Sequence, residues 1–189
     1  MKGYDFITTL IRDKILNTEY LHPYDILLQK QLNKKEIVGA EIGVLNGKHA
    51  LCMLVHNPQI KRLYLIDPYE NYEGYDKYIT LGLPAYYEMA KKRLFQQRNR
   101  IKFIKKSFEK AIPNIPDKLD FVYYDIHGDT KRINKFLELY YPKIKKNGII
   151  GGTNYFADLN GLARAILPFF DTLNLKVNGI NNDWWVKKP

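Results

Sequence analysis

The sequence predicts an α/β fold: a mostly parallel sheet with helices on both faces and a last strand that runs antiparallel. Strand-like runs alternate with helical segments along the chain, the pattern of βαβ units whose sheet is covered on both sides. The final two strands are joined by only about seven residues, Asn178 to Trp184, whereas a parallel crossover needs about a dozen or more. The last strand must therefore return antiparallel, through a turn built from Gly179, Asn181, Asn182 and Asp183. At 189 residues, one domain is the default.

Two helices come first, over residues 3–17 and 23–34, with Phe6, Leu10, Ile11 and Ile15 spaced for one apolar face. The first strand spans Ile37 to Ile42, and a helix follows from Gly47 to about His56. The second strand covers Arg62 to Ile66, and a tyrosine-rich loop runs on to Leu83. Pro84 suits the first turn of a helix reaching about Gln97. The third and fourth strands are Ile101 to Lys105 and Leu119 to Tyr124. Thr130 to Tyr141 reads as a helix that stops before Pro142. A fifth strand around Ile149 and Ile150 leads to a helix from about Leu159 to Phe170. Leu175 to Val177 and Trp184 to Val186 close the chain as the last two strands, one of the paired tryptophans facing the core and the other exposed or at an interface.

Composition narrows the class. With 46% hydrophobic and 14% aromatic residues the chain is neither disordered nor collagen-like. Cys52 is the single cysteine, so an intrachain disulfide and a cysteine-based zinc site are both excluded. No apolar run approaches the roughly 20 residues of a membrane helix. Asp5, Arg12 and Asp13 interrupt any signal-peptide core, so the expectation is a cytoplasmic protein. Thirty Lys and Arg against 20 Asp and Glu give a net charge of +10, one footprint of nucleic-acid binding. The basic residues are scattered; the densest stretch, KKRLFQQRNRIKFIKK, could be a solvated face or a patch for an acidic partner.

In open α/β sheets, ligands bind beyond the carboxyl ends of the strands. After strand one comes Glu41-Ile42-Gly43-Val44-Leu45-Asn46-Gly47. Gly43 lets the backbone turn tightly and Gly47 allows close approach at the helix start. The G-x-G-x-x-G of dinucleotide sites is missing, and Glu41 suits a cationic group such as an amino-acid ammonium. An ordinary strand-to-helix turn would look the same. Strand two ends in Asp67-Pro68, where a carboxylate can accept hydrogen bonds from two ribose hydroxyls or lie solvated. Glu41, Gly43, Gly47 and Asp67 together favour a nucleoside ligand.

EIGVLNGKHA, YLIDPYENY, LDFVYYDIHGD, KIKKNGIIGGTNY and NDWWVKKP resemble the class I S-adenosylmethionine-dependent methyltransferases, in particular their small-molecule and sugar O-methyltransferase branch. The resemblance runs from about Lys35 to Pro189 and implies a seven-stranded Rossmann-like sheet over residues 35–189. It implies that Glu41, Gly43 and Gly47 line the methionine end of S-adenosylmethionine, that Asp67 holds the ribose, and that Val44, Asn46 and Pro68 also contact the cofactor. Ser107 and Phe108 would flank the adenine and Asp125 would face the reaction centre. Residues 1–34 and the Tyr69–Leu83 loop would form a substrate lid.

In such a site the cofactor supplies the electrophile, and the protein positions an acceptor and helps remove its proton. Asp125 and His127, just past strand four, are the catalytic candidates, His127 as general base and Asp125 as orienter or metal ligand. His127 could equally be a loop histidine with a satisfied hydrogen bond. Metal-dependent members of the family carry acidic or amide pairs after strand five; here Asp125 and Asn154 match and Thr153 does not. A Mg²⁺ or Mn²⁺ site on these residues would need Asp129 or Asp158 as well. Tyr69, Tyr72, Tyr75 and Tyr78 offer stacking faces for a sugar or base, or pack on one another. The expected activity is O-methylation of a saccharide or other small metabolite, with no membrane partner. RNA- or nucleotide-directed methylation, a cofactor-binding module without catalysis, and a homodimer stay open.

Overall fold

The computed structural model describes residues 21–32, 36–70, 82–126, 130–155 and 162–189. The helix expected over residues 3–17 and the tyrosines at 72, 75 and 78 lie outside them, as do His127, Asp129 and Asp158. Helix α1 (Pro23–Gln31) opens on a proline, whose missing N–H costs nothing at that position. There follow β1 (Ile37–Ile42), α2 (Lys48–His56) and β2 (Ile60–Ile66). Then come α3 (Leu83–Arg93), β3 (Ile101–Ile104), the single turn α4 (Phe108–Ala111), β4 (Leu119–Tyr124) and α5 (Thr130–Tyr140). The chain ends with β5 (Ile144–Gly152), α6 (Leu162–Asp171), β6 (Asn178–Ile180) and β7 (Asp183–Lys187).

The seven strands pair in the order β3-β2-β1-β4-β5-β7-β6. β1 to β5 are mutually parallel, and β7 runs antiparallel to both β5 and β6. This is the seven-stranded Rossmann-like sheet that the resemblance implied, with the antiparallel last strand that the short final connection demanded. Alternation along the strands divides the core in two. Ala40, Ile42, Val122, Tyr124, Ile150 and Trp184 face α4, α5 and α6. Ile37, Phe121, Tyr123 and Ile149 face α1, α2 and α3. Trp184 is fully buried; Trp185 is half-buried on the opposite face, packed against the second cluster instead of standing free.

Several boundaries differ from expectation; β2, for one, starts at Ile60 and not at Arg62. The helix read as reaching Gln97 ends at Arg93, and Phe95–Gln97 forms a separate tight turn. β5 begins at Ile144, because its first residue pairs with Leu119 before a slip in register. The penultimate strand is Asn178–Ile180, not Leu175–Val177. Ile180 pairs with Asp183, so the connection is the two residues Asn181–Asn182, with Asn181 at φ 52°, a conformation Asn tolerates well.

Parts of the basic stretch are structural. Arg100 donates to the carbonyls of Leu54, Asn57 and Ile60, and the Arg98 guanidinium lies over the Phe95 ring. Among the described residues, no helix is long and apolar enough to cross a membrane.

Candidate active site

The strand order reverses between β1 and β4: from β1 the chain proceeds outward through β2 and β3, then returns to β4 on the other side. Such a switch point opens a crevice beyond the carboxyl ends of the strands. Here the backbone is drawn tight across it. Asp125 N–H donates to Ile42 O at 2.8 Å and Gly43 N–H to Ile66 O at 2.9 Å. Gly43 sits at φ 89°, and a Cβ on it would fall 2.0 Å from the carbonyl oxygen of Asp125. Only glycine satisfies both the angle and the space.

Asp67 ties the loops together. Its Oδ2 accepts from the N–H of Val44 at 3.0 Å and of Leu45 at 2.9 Å, and its Oδ1 accepts from Tyr69 N–H at 2.9 Å. The carboxyl is 5% exposed; burial raises its pKa and the three N–H donors pull it back part of the way. Of about four acceptor positions on a carboxylate, three are taken by these N–H groups among the described residues. Tyr69 is itself buried with its ring against Tyr87, so it offers no stacking face.

A cavity of about 370 Å³ lies over this crevice, within the size range of small-molecule sites. Gly43, Asp67, Pro68, Ser107, Phe108 and Asp125 all line it, over an apolar floor of Ile42, Ile66 and Ile126. The Phe108 ring is anchored in the core against Tyr124, Phe136 and Tyr140. Glu70 adds a third carboxylate to Asp67 and Asp125, and Lys105, Lys106, Lys110 and Arg132 supply positive charge on the lining. Glu41, Val44, Asn46 and Gly47 are not on this cavity's lining. Gly47, at φ 72°, instead admits α3: a Cβ there would press on Leu94 and Ala90 at 3.1–3.3 Å. Asn46 Oδ1 accepts from Lys48 N–H at the start of α2, and its carbonyl accepts from Arg93.

Glu41 leads to an arrangement the sequence did not reveal. Its Oε1 lies 3.1 Å from His49 Nδ1, and His49 Nε2 lies 3.3 Å from Asp25 Oδ2. All three side chains are buried. With a carboxylate at each ring nitrogen, both can donate only as the imidazolium. Burial by itself would lower the His49 pKa, but Asp25 and Glu41 outweigh it and hold it well above the ordinary value. Burial likewise raises Glu41, which His49 offsets only in part. Glu41 Oε2 and Asp25 Oδ1 are buried acceptors with no partner among the described residues.

The pH dependence of stability follows. Because the folded pKa of His49 is raised, its contribution is complete below its ordinary value of about 6.5 and is lost as pH rises through the folded value. The melting temperature is therefore expected to fall as pH rises above about 6.5, as scanning fluorimetry would record; a flat or rising profile would contradict the buried imidazolium.

A second cluster stands beside the first. His22 Nδ1 lies 3.0 Å from Asp183 Oδ1 and 2.8 Å from the Tyr123 hydroxyl, which donates to Asp183 at 3.1 Å. The other Asp183 oxygen accepts from Tyr24 N–H at 3.1 Å. No local motif marks these residues, because the contacts join segments about 160 positions apart.

For a divalent cation, Asp125 and Asn154 provide two oxygen donors, too few for octahedral Mg²⁺. Among the described residues, no three His, Cys, Asp or Glu side chains gather to hold a metal. Asp129 and Asp158, the further oxygen donors such a site would need, lie outside the described residues.

A family profile described as "Methyltransferase domain" matches residues 40–155. No curated protein matches the sequence. Among solved structures, the fold is similar to a Podospora anserina methyltransferase bound to S-adenosylhomocysteine, at 14% identity and TM-score 0.65, covering 95% of this chain and 87% of that one. It is similar to an O-methyltransferase from Bacillus cereus in complex with S-adenosylhomocysteine, at 13% identity and TM-score 0.62, covering 96% and 91%. An rRNA methylase from Streptococcus thermophilus shares the fold at 13% identity and TM-score 0.62, covering 88% and 95%.

Proposed function

The chain belongs to the methyltransferase-domain family and is an S-adenosylmethionine-dependent methyltransferase, and we propose that it methylates a hydroxyl of a saccharide or other small metabolite. The observation that carries the proposal is the cavity at the β1–β4 switch point, where Gly43, Asp67, Ser107, Phe108 and Asp125 converge. We assign the nucleoside to this cavity, with Asp67 accepting from the ribose and the apolar floor beneath the adenine. The cofactor supplies an electrophilic methyl group on a sulfonium. The chain's task is to hold the acceptor hydroxyl in line with that methyl near Asp125 and to receive its proton.

A small acceptor suits the chain better than a nucleic acid, because Arg98 and Arg100 are engaged within the fold. The four cations lining the cavity keep an RNA- or nucleotide-directed reading testable. Tritium transfer from S-adenosylmethionine to methyl rhamnoside, and not to RNA, is the expected outcome. RNA binding whose affinity falls steeply with salt would reverse that choice.

Asp67→Asn is expected to weaken S-adenosylhomocysteine binding by about 1–3 kcal/mol, measured by calorimetry. Unchanged affinity would remove Asp67 from the ribose.

A further inference from the structure

His22 stands just before α1 and Asp183 opens β7. Trp184 is paired with Gly152, so Asp183 lies level with Thr153, just past the carboxyl end of β5. Tyr123 is the penultimate residue of β4, two before Asp125. The pair therefore sits over the carboxyl ends of β4 and β5, beside the strand end that carries Asp125. Asp183 is 1% exposed and the His22 side chain 27%, so the carboxylate is sealed while the ring reaches solvent. The Tyr123 hydroxyl spends its proton on Asp183 and can accept at its lone pair. Nδ1 of His22, facing the Asp183 carboxylate and that lone pair, is then the protonated nitrogen. Nε2 is left with its lone pair, and it makes no hydrogen bond among the described residues.

We propose that His22 is the general base of methyl transfer, held in its working tautomer by Asp183 and Tyr123; the assignment rests on the hydroxyl-acceptor reading above. The acceptor oxygen forms the new C–O bond as the methyl–sulfur bond breaks, and that bond's electron pair stays on sulfur. The hydroxyl proton passes to His22 Nε2. The positive charge lost at the sulfonium thus reappears on an imidazolium beside Asp183, and solvent removes the proton after release. Asp183 and Tyr123 are positioning residues in this scheme. The charged or titratable groups facing His22 are Asp183 from β7, Tyr123 from β4, Asp25 from its own helix, and His49 from α2, whose ring centroid is 4.5 Å away.

The test uses the full chain with S-adenosylmethionine and methyl rhamnoside, together with ¹⁵N NMR of the ligand-free protein. His22→Gln is expected to lower kcat by roughly 10²–10⁴-fold, to keep S-adenosylhomocysteine affinity within about threefold, and to abolish the fall in rate on the acid side. Asp183→Asn should lower kcat in the same way, and imidazole should partly rescue His22→Ala. NMR should show His22 protonated at Nδ1 in the wild type, with that preference lost in Asp183→Asn. Wild-type turnover and an unchanged pH profile in His22→Gln, or a His22 protonated at Nε2, would overturn the assignment. A wild type that binds no cofactor would remove the functional reading and this proposal with it, whereas full turnover in the His22 variant would remove the proposal alone.

Discussion

His49→Ala is expected to lower the free energy of unfolding by about 3–5 kcal/mol, the scale for removing one partner of a buried ion pair. His49 stands between Asp25 Oδ2 and Glu41 Oε1, and all three side chains are buried. Without the imidazolium, two carboxylates face each other in a dry site, each also holding one buried oxygen with no donor among the described residues. Typical domains are stable by about 5–15 kcal/mol, so the loss is a large share of the total. Urea unfolding followed by circular dichroism measures it. His49→Gln, which restores one donor, should recover part of the loss. A variant as stable as wild type would show that water reaches the pair and that the imidazolium is not needed.

Gly43→Ala is expected to damage both the fold and the cofactor site. The residue combines φ 89° with a Cβ position 2.0 Å from the Asp125 carbonyl oxygen. The backbone angle costs an L residue about 1–2 kcal/mol. Relieving the overlap must also move the end of β1 away from the end of β4, which breaks the hydrogen bond from Asp125 to Ile42. That bond closes the crevice whose lining holds Gly43, Asp67 and Asp125. A drop in stability of at least about 2 kcal/mol and a tenfold or greater loss of S-adenosylhomocysteine affinity should appear together. Wild-type affinity in this variant would place the ligand elsewhere on the sheet.

What could be read in the sequence was local in origin. The parallel strands announce themselves as apolar runs between helical segments. The antiparallel ending follows from a connection too short for a crossover. Gly43 and Asp67 were legible because each lies directly after a strand, where ligands of this architecture bind. Gly47 shows the limit of that reasoning: a Cβ there would meet Ala90 and Leu94, more than 40 positions away, a packing demand that no local motif reveals. The same limit hid the two histidine clusters. His22 and His49 lack any flanking motif, and their carboxylate partners come from other elements across the fold. Asp183 reads in sequence as a turn residue; only the pairing of β7 with β5 carries it to the end of the sheet where the chemistry is expected.

The most direct test of the central claim is a calorimetric titration of the protein with S-adenosylhomocysteine in EDTA. The expected result is one site with micromolar affinity, about −8 kcal/mol, undiminished by the chelator. A folded sample that releases no heat and binds no ligand would contradict the assignment of the β1–β4 cavity to the cofactor.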